Sequence, residues 1–268
     1  MTTDPQHLLS AGLAMQMPGP DACRSAKYGT MNSHIPPFCQ LLPPPSLHLP
    51  DTCLVCASFD PAQLGAEDFQ RCAIEPVRGV NKRLGEYLAG RLCAREALRQ
   101  LYGQALVPGR DEDGVPIWPA GAVGSITHSA GQAAAIVASA QQWQGLGLDL
   151  EKRLSAERAA RLAGEILTPA ELERAAGLNP QAFAGLVTLT FSLKESLFKA
   201  LYPLVLTRFY FHDAELLSWS EEGRAELRLL IDLSAEWPAG SRLNGRFAEF
   251  DGYLLSLVAI AAESANMP

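Results

Sequence analysis

The chain has 268 residues, of which 48% are hydrophobic and 19% charged, and its net charge is −7. This length allows one large or two modest domains with a buried core, and the composition excludes disorder of the whole chain. No apolar run approaches the ~20 residues that a membrane-spanning helix needs, so we expect no membrane span. The acidic balance argues against a dedicated nucleic-acid-binding protein, although it permits a local basic pocket for a small anion.

The first fifty residues contain nine of the chain's 19 prolines. Proline fixes φ and removes a hydrogen-bond donor, so we expect a proline-rich extension over residues 1–50 that joins no central sheet. Within it, we expect residues 1–30 to be mobile and partly disordered, with Met31 as an alternative start, and residues 31–50 to lie extended along the body. The segment lacks the basic and then apolar order of a signal peptide, so we expect a cytoplasmic protein.

The six cysteines lack the regular spacing of a disulfide framework, which agrees with a reducing compartment. The pair Cys53-Leu-Val-Cys56 has the CxxC spacing of a metal or redox site. Because no second pair follows and the surrounding residues are apolar, we interpret this pair as part of a buried strand.

Regular periodicity begins at Thr52. In chain order it predicts a strand over Cys53–Phe59, a helix over Asn81–Tyr102, a turn at Gly114-Val115-Pro116, strands over Gly124–His128, Ala133–Ser139 and Gly145–Leu150, helices over Ala156–Leu167, Pro169–Ala176 and Gly185–Leu201, and hairpin turns near Glu222-Gly223 and Asp251-Gly252. Each half offers helices and then strands, which predicts an α+β fold, with two similar halves over 51–145 and 146–268 as the suggested arrangement.

An acidic motif, Gly145-Leu-Gly-Leu-Asp149-Leu-Glu151, ends the third of these strands. The leucines alternate with the other residues, so Asp149 and Glu151 share one face with Cα atoms ~7 Å apart. Two carboxylates so placed can converge on one hard cation. The alternative is a solvated strand end with two surface acids.

The predicted helix over Gly185–Leu201 has two faces. Glu195 and Lys199 lie four residues apart and could form a weak surface ion pair, but the neighbouring aromatic residues suggest a covered side or a cleft. The core face is predicted to hold Leu186, Leu189, Leu193, Leu197 and Leu204, and the opposite side Thr188, Phe191, Ser192, Glu195, Lys199 and Tyr202.

The helix over Asn81–Tyr102 places Arg91 and Arg95 within its leucine face, with Arg83 beside them. A guanidinium there is costly unless it is neutralised, either by an internal carboxylate, by reaching the edge of the core, or by an anionic ligand such as phosphate. Its solvated face is predicted to hold Lys82, Glu86, Ala89, Glu96 and Gln100.

A polar strand end, Ser125-Ile-Thr127-His128-Ser129, completes the candidate residues. Hydroxyls, an imidazole and exposed backbone N–H groups can together hold phosphate oxygens. A solvated strand end is the alternative.

Taken in this order, the segments resemble the 4′-phosphopantetheinyl transferases of the larger, single-chain surfactin type, and especially their enterobactin-synthetase component D subfamily. The matching residues are the stretch from Asn81 to Arg95, Gly114-Val-Pro-Ile-Trp-Pro119, Ser125-Ile-Thr-His128-Ser, Gly147-Leu-Asp149-Leu-Glu151 and Phe191-Ser-Leu-Lys-Glu195-Ser-Leu-Phe-Lys199. The spacing between the last two motifs makes the resemblance specific.

The resemblance implies transfer of phosphopantetheine from coenzyme A to a serine of an apo acyl carrier protein or peptidyl carrier domain, with release of adenosine 3′,5′-bisphosphate. It implies a pseudo-twofold pair of α+β halves with the active site in the cleft between them. It makes Asp149, Glu151 and Glu195 ligands of Mg²⁺, or of Mn²⁺ in its place. Lys199 would contact the pyrophosphate, and Glu195 or Glu151 would take the serine proton.

The remaining coenzyme A contacts implied by the resemblance are Arg83, Arg91, Thr127 and His128, together with Asp149 and Lys199. Many relatives have lysine where this chain has Val115, so one phosphate contact must be absent or supplied by an arginine. We expect a monomer whose carrier partner is acidic. Its dock is expected to use residues after Glu151, which are Lys152, Arg153, Arg158, Arg161, Leu162, Ile166 and Leu167, although these equally fit an ordinary amphipathic helix.

Two other functions compete with carrier modification. A metal-dependent phosphohydrolase acting on a nucleotide or on coenzyme A would use an activated water and no carrier. A coenzyme A-binding subunit without turnover would not need the carboxylates and Lys199, whose presence argues against it.

Overall fold

The computed structural model describes residues 35–262. The expectations of a mobile segment over residues 1–30 and of a start at Met31 fall outside these residues. In the part of the chain that is described, no helix combines the length and the apolar composition needed to cross a membrane.

Eleven strands and five α-helices make up the described chain, with two short 3₁₀ turns at Pro61–Gln63 and Phe211–Asp213. In chain order the elements are β1 (Cys39–Leu42), β2 (Thr52–Phe59), α1 (Asp68–Cys72), α2 (Asn81–Tyr102), β3 (Gly109–Arg110), β4 (Pro116–Ile117), β5 (Ala122–Ser129), β6 (Gln132–Ser139), β7 (Trp143–Lys152), α3 (Ala156–Ile166), α4 (Pro169–Arg174), α5 (Pro180–Val205), β8 (Ala214–Trp219), β9 (Arg224–Leu229), β10 (Arg242–Phe250) and β11 (Tyr253–Ala261).

The first sheet is antiparallel, has the strand order β1-β2-β6-β5 and packs against α2. Leu88, Leu92 and Leu98 of α2 are at most 1% exposed and form its core with apolar residues of β2 and β6. The proline-rich segment enters the sheet only as the edge strand β1, where missing donors cost least. The CxxC pair lies in buried strand β2, as predicted.

The second sheet is also antiparallel, with the order β7-β11-β10-β9-β8, and α5 lies across it. This helix begins at Pro180, five residues before the predicted start at Gly185. The signal is local, because the side chain of Asn179 accepts hydrogen bonds from the next backbone N–H groups and Pro180 suits the first helical position.

The two sheets repeat one topology. In the first, strand β2, helix α2 and the β3–β4 hairpin precede strands β5 and β6, and the sheet order is β2-β6-β5. In the second, β7, the helices ending in α5 and the β8–β9 hairpin precede β10 and β11, and the order is β7-β11-β10. The expected α+β fold with two similar halves is therefore confirmed.

The halves meet where β5 lies beside β7. The hydroxyl of Ser125 accepts a hydrogen bond from Leu148 N at 2.9 Å, and that of Thr127 accepts one from Leu150 N at 3.0 Å. An apolar layer behind this seam includes Ile136 and Leu148, both fully buried. These bonds fix the register between the two halves at the strand ends that carry the candidate residues.

Two face assignments were wrong. Ala89, predicted on the solvated face of α2, is fully buried because the middle of that helix is enclosed on every side. Leu204, predicted on the core face of α5, is 38% exposed because it lies beyond Leu201, the last fully buried position of that helix. Strand β7 is also buried on both faces over 145–150, where the alternation indicated a half-buried strand.

Candidate active site

Two glycines of β7 let α5 lie directly against the strand. A Cβ atom at Gly147 would overlap the carbonyl oxygen of Ser196, and one at Gly145 would lie 2.6 Å from that of Ala200. The hydroxyl of Ser196 donates to Ser256 O at 3.0 Å, which holds the helix to the neighbouring strand β11. The polar residues of α5 are thereby carried to the carboxylates of β7.

Lys199 is the residue that joins α5 to the acidic strand end. Its ammonium lies 2.5 Å from Asp149 Oδ1 and donates to Leu148 O at 3.2 Å. The surface ion pair considered for Glu195 and Lys199 is therefore wrong, since the ion pair of Lys199 is with Asp149. Asp149 is 3% exposed, which excludes a solvated strand end for this residue.

Three carboxylates share this region in an unfavourable electrostatic state. Burial, and next the charge of Asp149, raise the pKa of Glu151 to about 7. Burial and the same charge also raise the pKa of Glu195, although Lys199 opposes the shift. Ser129 Oγ donates to Glu151 at 3.3 Å, the hydrogen bond that acts in the opposite direction.

The donor set fits a hard cation, although a closed ligand shell is not preformed. Asp149 Oδ2 is buried and has no hydrogen-bond partner, which leaves one carboxylate oxygen available in a region short of positive charge. Within residues 35–262, however, no three His, Cys, Asp or Glu side chains are already grouped closely enough to hold a metal ion. The Lys199 ammonium occupies the other oxygen of Asp149.

A cleft of about 720 Å³ runs from α2 across β5 to α5 and the β3–β4 hairpin. It is the space between the two halves that the resemblance implies. Side chains from both halves line it, and those that carry charge or can carry it are Lys82, Arg83, Glu86, Arg91, Arg110, Asp113, His128 and Lys199.

Arg91 is the buried cation of this cleft. It is 4% exposed, its guanidinium carbon lies 5.1 Å from the centre of the Tyr87 ring, and its Nη1 has no hydrogen-bond partner among the described residues. The alternative of an internal carboxylate is not realised for Arg91. Arg95 has a different environment, because its Nη1 donates to Cys72 O at 2.8 Å inside the first half.

His128 reaches the cleft, whereas Thr127 does not. The Thr127 hydroxyl is directed at β7, where it also donates to Asp149 Oδ1 at 3.4 Å, so in this structure it positions Asp149 instead of facing an anion. Burial lowers the pKa of His128, and the charges of Glu86 and Lys199 act on it in opposite directions.

Sequence reasoning missed Arg110. It pairs with Pro116 across the β3–β4 hairpin, and its guanidinium covers Gly114, with Nη2 2.7 Å from where a Cβ atom would lie. Gly114 has φ +91°, so glycine is required at this turn for both reasons. The signal was the Gly-x-Pro turn itself, since a tight hairpin brings the residue before the turn beside the residue after it.

A buried ion pair fixes the far side of α5. The Lys194 ammonium lies 2.7 Å from Glu171 and donates to the carbonyls of Ile166 and Phe211. Burial lowers the pKa of Lys194, and Glu171 opposes this shift. Because this network joins α5 to the end of α3 and the start of α4, it sets the position of the neighbouring Glu195.

The expected carrier dock is partly wrong. Ile166 and Leu167 are at most 2% exposed and belong to a core cluster between α3 and α5, so they cannot contact a partner. The basic side chains remain available, since Lys152, Arg153, Arg158 and Arg161 are all exposed.

Comparison with known proteins gives two family matches. Residues 75–138 match the 4′-phosphopantetheinyl transferase N-terminal domain, and residues 145–258 match the 4′-phosphopantetheinyl transferase superfamily. The chain is 43% identical over 166 residues to enterobactin synthase component D of Escherichia coli O157:H7, a match covering 61% of this chain and 77% of that protein.

Other similar proteins agree in kind. The 4′-phosphopantetheinyl transferase Svp of Streptomyces mobaraensis is 36% identical over 206 residues, covering 74% of this chain and 80% of Svp. Among solved structures, a holo-(acyl-carrier-protein) synthase from Bacillus anthracis str. Ames in complex with CoA (3′,5′-ADP) aligns with a TM-score of 0.34 and 20% identity, covering 46% of this chain and 99% of that one.

Proposed function

Because this chain belongs to the 4′-phosphopantetheinyl transferase superfamily, we propose that it transfers phosphopantetheine from coenzyme A to a serine of apo acyl carrier proteins or peptidyl carrier domains. The observation that carries the assignment to a site is the charge order along one cleft. An unpaired buried guanidinium, Arg91, lies in its α2 wall, and Lys199 with its bonded Asp149 lies at α5. A polyanionic ligand with a transferable phosphoryl group suits that order.

The α2 side of the cleft binds the nucleotide part of coenzyme A. The Arg91 guanidinium is held by Tyr87 and has a donor to spare, so it can bond a phosphate oxygen without leaving another group unpaired. Arg83 and His128 supply further donors at the same cleft. Arg110 takes the place of the lysine that many relatives have where this chain has Val115, since both residues line this cleft.

Asp149, Glu151 and Glu195 would hold a divalent cation, Mg²⁺ or Mn²⁺. The free Oδ2 of Asp149 and the raised pKa values of the two glutamates support this choice. Such an ion would screen the pyrophosphate charge from the incoming nucleophile and stabilise the leaving phosphate.

In the transfer step, the serine oxygen of the carrier forms a bond to the phosphorus that carries the pantetheine arm, and the bond to the bridging oxygen breaks. Adenosine 3′,5′-bisphosphate leaves with the electron pair of that bond. Glu195, or Glu151 in its place, accepts the serine proton, and Lys199 stabilises the charge on the leaving group. Thr127 holds Asp149 in position during this step through its hydroxyl.

The decisive experiment mixes the protein with coenzyme A, Mg²⁺ and an apo carrier protein, and measures the carrier's mass. We expect a gain of one phosphopantetheine. Hydrolysis of coenzyme A without carrier modification would favour a phosphohydrolase, and an unmodified panel of acyl and peptidyl carriers would overturn the proposal. Enzyme activity in the cytoplasm and a monomeric state belong to the same proposal, and gel filtration with light scattering tests the latter.

Asp149→Asn tests the site. The variant keeps the shape of the side chain but loses the charge that pairs with Lys199, so we expect kcat to fall by about 100-fold or more. The stabilisation by Mg²⁺ with coenzyme A, read from the melting temperature, should disappear as well. Glu249→Gln, on the exposed surface, is the matched control. Unchanged turnover in Asp149→Asn would remove the metal site from this position.

A further inference from the structure

One carboxylate lies where a polyanion is expected to bind. Glu86, on α2, lines the same cleft as Arg83, Arg91 and His128. Its side chain is 17% exposed, so it is not an ordinary surface acid. A negative charge in this place repels phosphate and requires an explanation other than ligand contact.

The geometry supplies that explanation. Glu86 Oε2 lies 3.9 Å from Nδ1 of His128, and Oε1 lies 3.9 Å from the ammonium of Lys82. The first contact joins α2 to the end of β5, whereas the second lies within α2, one turn away, with a Lys82 side chain that is 75% exposed. A contact between two separate elements can fix a rotamer in a way that the exposed pair cannot.

The two nitrogens of an imidazole divide their roles. A carboxylate beside Nδ1 keeps a proton on that atom and orients the ring, which aims Nε2 in the opposite direction. When Nε2 is also protonated, the ring donates from both sides and carries a positive charge suited to a phosphate oxygen.

We propose that Glu86 is a positioning residue, which orients His128 and favours its cationic form so that the imidazole binds a phosphate of the nucleotide. The inference rests on the proposed function, since it assumes that a phosphorylated nucleotide occupies the cleft. It assigns Glu86 no contact with the ligand.

The charged groups that act on His128 come from three elements. Glu86 from α2 and Asp149 from β7 favour the charged ring, while Lys199 from α5 and burial oppose it. Removing the carboxylate of Glu86 therefore lowers the pKa of His128 further. Affinity for the nucleotide, which is lost as pH rises and His128 loses its proton, should then be lost at a lower pH.

The test is Glu86→Gln, measured by calorimetry with adenosine 3′,5′-bisphosphate and by the KM for coenzyme A. Removal of a negative charge from an anion site should by itself tighten binding, whereas loss of a positioning residue weakens it. We expect a rise of about three- to ten-fold in Kd and KM at pH 8, little change in kcat, and a pH profile displaced to lower pH. Glu96→Gln, on the same helix but paired with Arg99, is the matched control.

A double-mutant cycle with His128→Gln separates this role from a structural one. In the His128→Gln background, Glu86→Gln should have no further weakening effect. Equal or tighter binding by Glu86→Gln, or an equal loss in both backgrounds, overturns the inference. Should Glu86→Gln fail to fold, Glu86→Asp replaces it, with a smaller displacement of the pH profile expected and an unchanged profile counting against the role.

The nucleotide binding measurement also separates the two hypotheses. Failure of the wild-type protein to bind adenosine 3′,5′-bisphosphate or to modify any carrier would contradict the proposed function itself. Binding and transfer by the wild type with no effect of Glu86→Gln would contradict only the role of Glu86.

Discussion

Two buried polar atoms, Arg91 Nη1 and Asp149 Oδ2, lack hydrogen-bond partners, and they have opposite charge. An unsatisfied charged group inside a protein costs free energy, so both positions are selected by something other than stability. In the proposed function a phosphate satisfies the first atom and a divalent cation the second. The apo protein should therefore gain stability from ligands in proportion to their affinity.

At the residue scale, Arg110 has the clearest test. Arg110→Ala removes the cation that covers the β3–β4 turn, and we expect the KM for coenzyme A to rise about ten-fold or more because a charged hydrogen bond to phosphate is lost. Adding Val115→Lys should restore much of the affinity by returning a cation to the same wall of the cleft.

Steady-state kinetics at fixed carrier concentration measure both effects. Arg99→Met, which disrupts only a surface pair with Glu96, is the control with no expected change in KM. A normal KM in Arg110→Ala would mean that Val115 leaves the phosphate contact empty, and failure of the lysine to rescue would separate the two positions.

Residue-level prediction succeeded where a single motif carried the signal. Arginines among the leucines of one helix indicated an unusual environment, and Arg91 has one. The partner of Lys199 could not be predicted, because Asp149 is fifty positions away and the helical neighbour Glu195 competed for it. Thr127 was assigned to the ligand because strand alternation does not say which neighbouring strand its hydroxyl meets.

At the scale of elements, the contact between α5 and β7 determines the geometry of the site. Gly147 brings the helix backbone to the strand backbone without an intervening side chain, and the hydroxyls of Ser192, Ser196 and Ser256 bond across the same region. Small residues and hydroxyls thus replace the usual apolar layer. The consequence is that Glu195 and Lys199 are as rigid as the sheet itself.

Gly147→Ala tests this contact. The added methyl group would overlap the carbonyl of Ser196, so α5 must shift away from β7. We expect the free energy of unfolding to fall by about 1–3 kcal/mol or more, and kcat to fall more than the KM for coenzyme A changes. Urea unfolding measures the first and kinetics the second.

Gly164→Ala is the matched control, since nothing lies within 4 Å of a Cβ atom at that position of α3. It should be neutral or slightly stabilising, as alanine is the better helix former. If Gly147→Ala behaved in the same way, the close approach of α5 to β7 would not be needed for the site.

Elements were predicted best where caps and turns were encoded locally. The bounds of α2 agree with the prediction, and both terminal hairpins turn where Gly223 and Gly252 have positive φ. The start of α5 was missed because its leucine periodicity fades before Asn179, whose cap is the stronger signal. Burial of both faces of β7 was beyond reach, since it results from the meeting of two sheets.

At the scale of the whole molecule, charge is unevenly distributed. The net charge is −7, yet residues 78–110 hold seven Lys or Arg against two Glu. The acidic remainder must still receive an acidic carrier, so docking has to use a confined basic surface. The exposed side chains of Lys152, Arg153, Arg158 and Arg161 offer one beside the strand end that holds Glu151.

Reversal of two of these charges tests the docking surface. In Arg158→Glu/Arg161→Glu we expect the KM for the carrier to rise about ten-fold, with the KM for coenzyme A unchanged, because only the partner's acidic side chains are affected. Arg242→Glu, whose exposed side chain pairs with Glu226 in the second sheet, serves as the control. An unaltered KM for the carrier would place the dock elsewhere.

The repeated topology of the two halves has a consequence for how many substrates one chain handles. If two identical halves formed such a cleft, one helix sequence would have to provide both the arginines of α2 and the carboxylate and lysine of α5. Because the halves are joined in one chain, each helix is free to specialise, and the pair encloses a single cleft with two chemically different walls. Stoichiometry follows from this asymmetry: each polypeptide binds one coenzyme A and processes one carrier at a time.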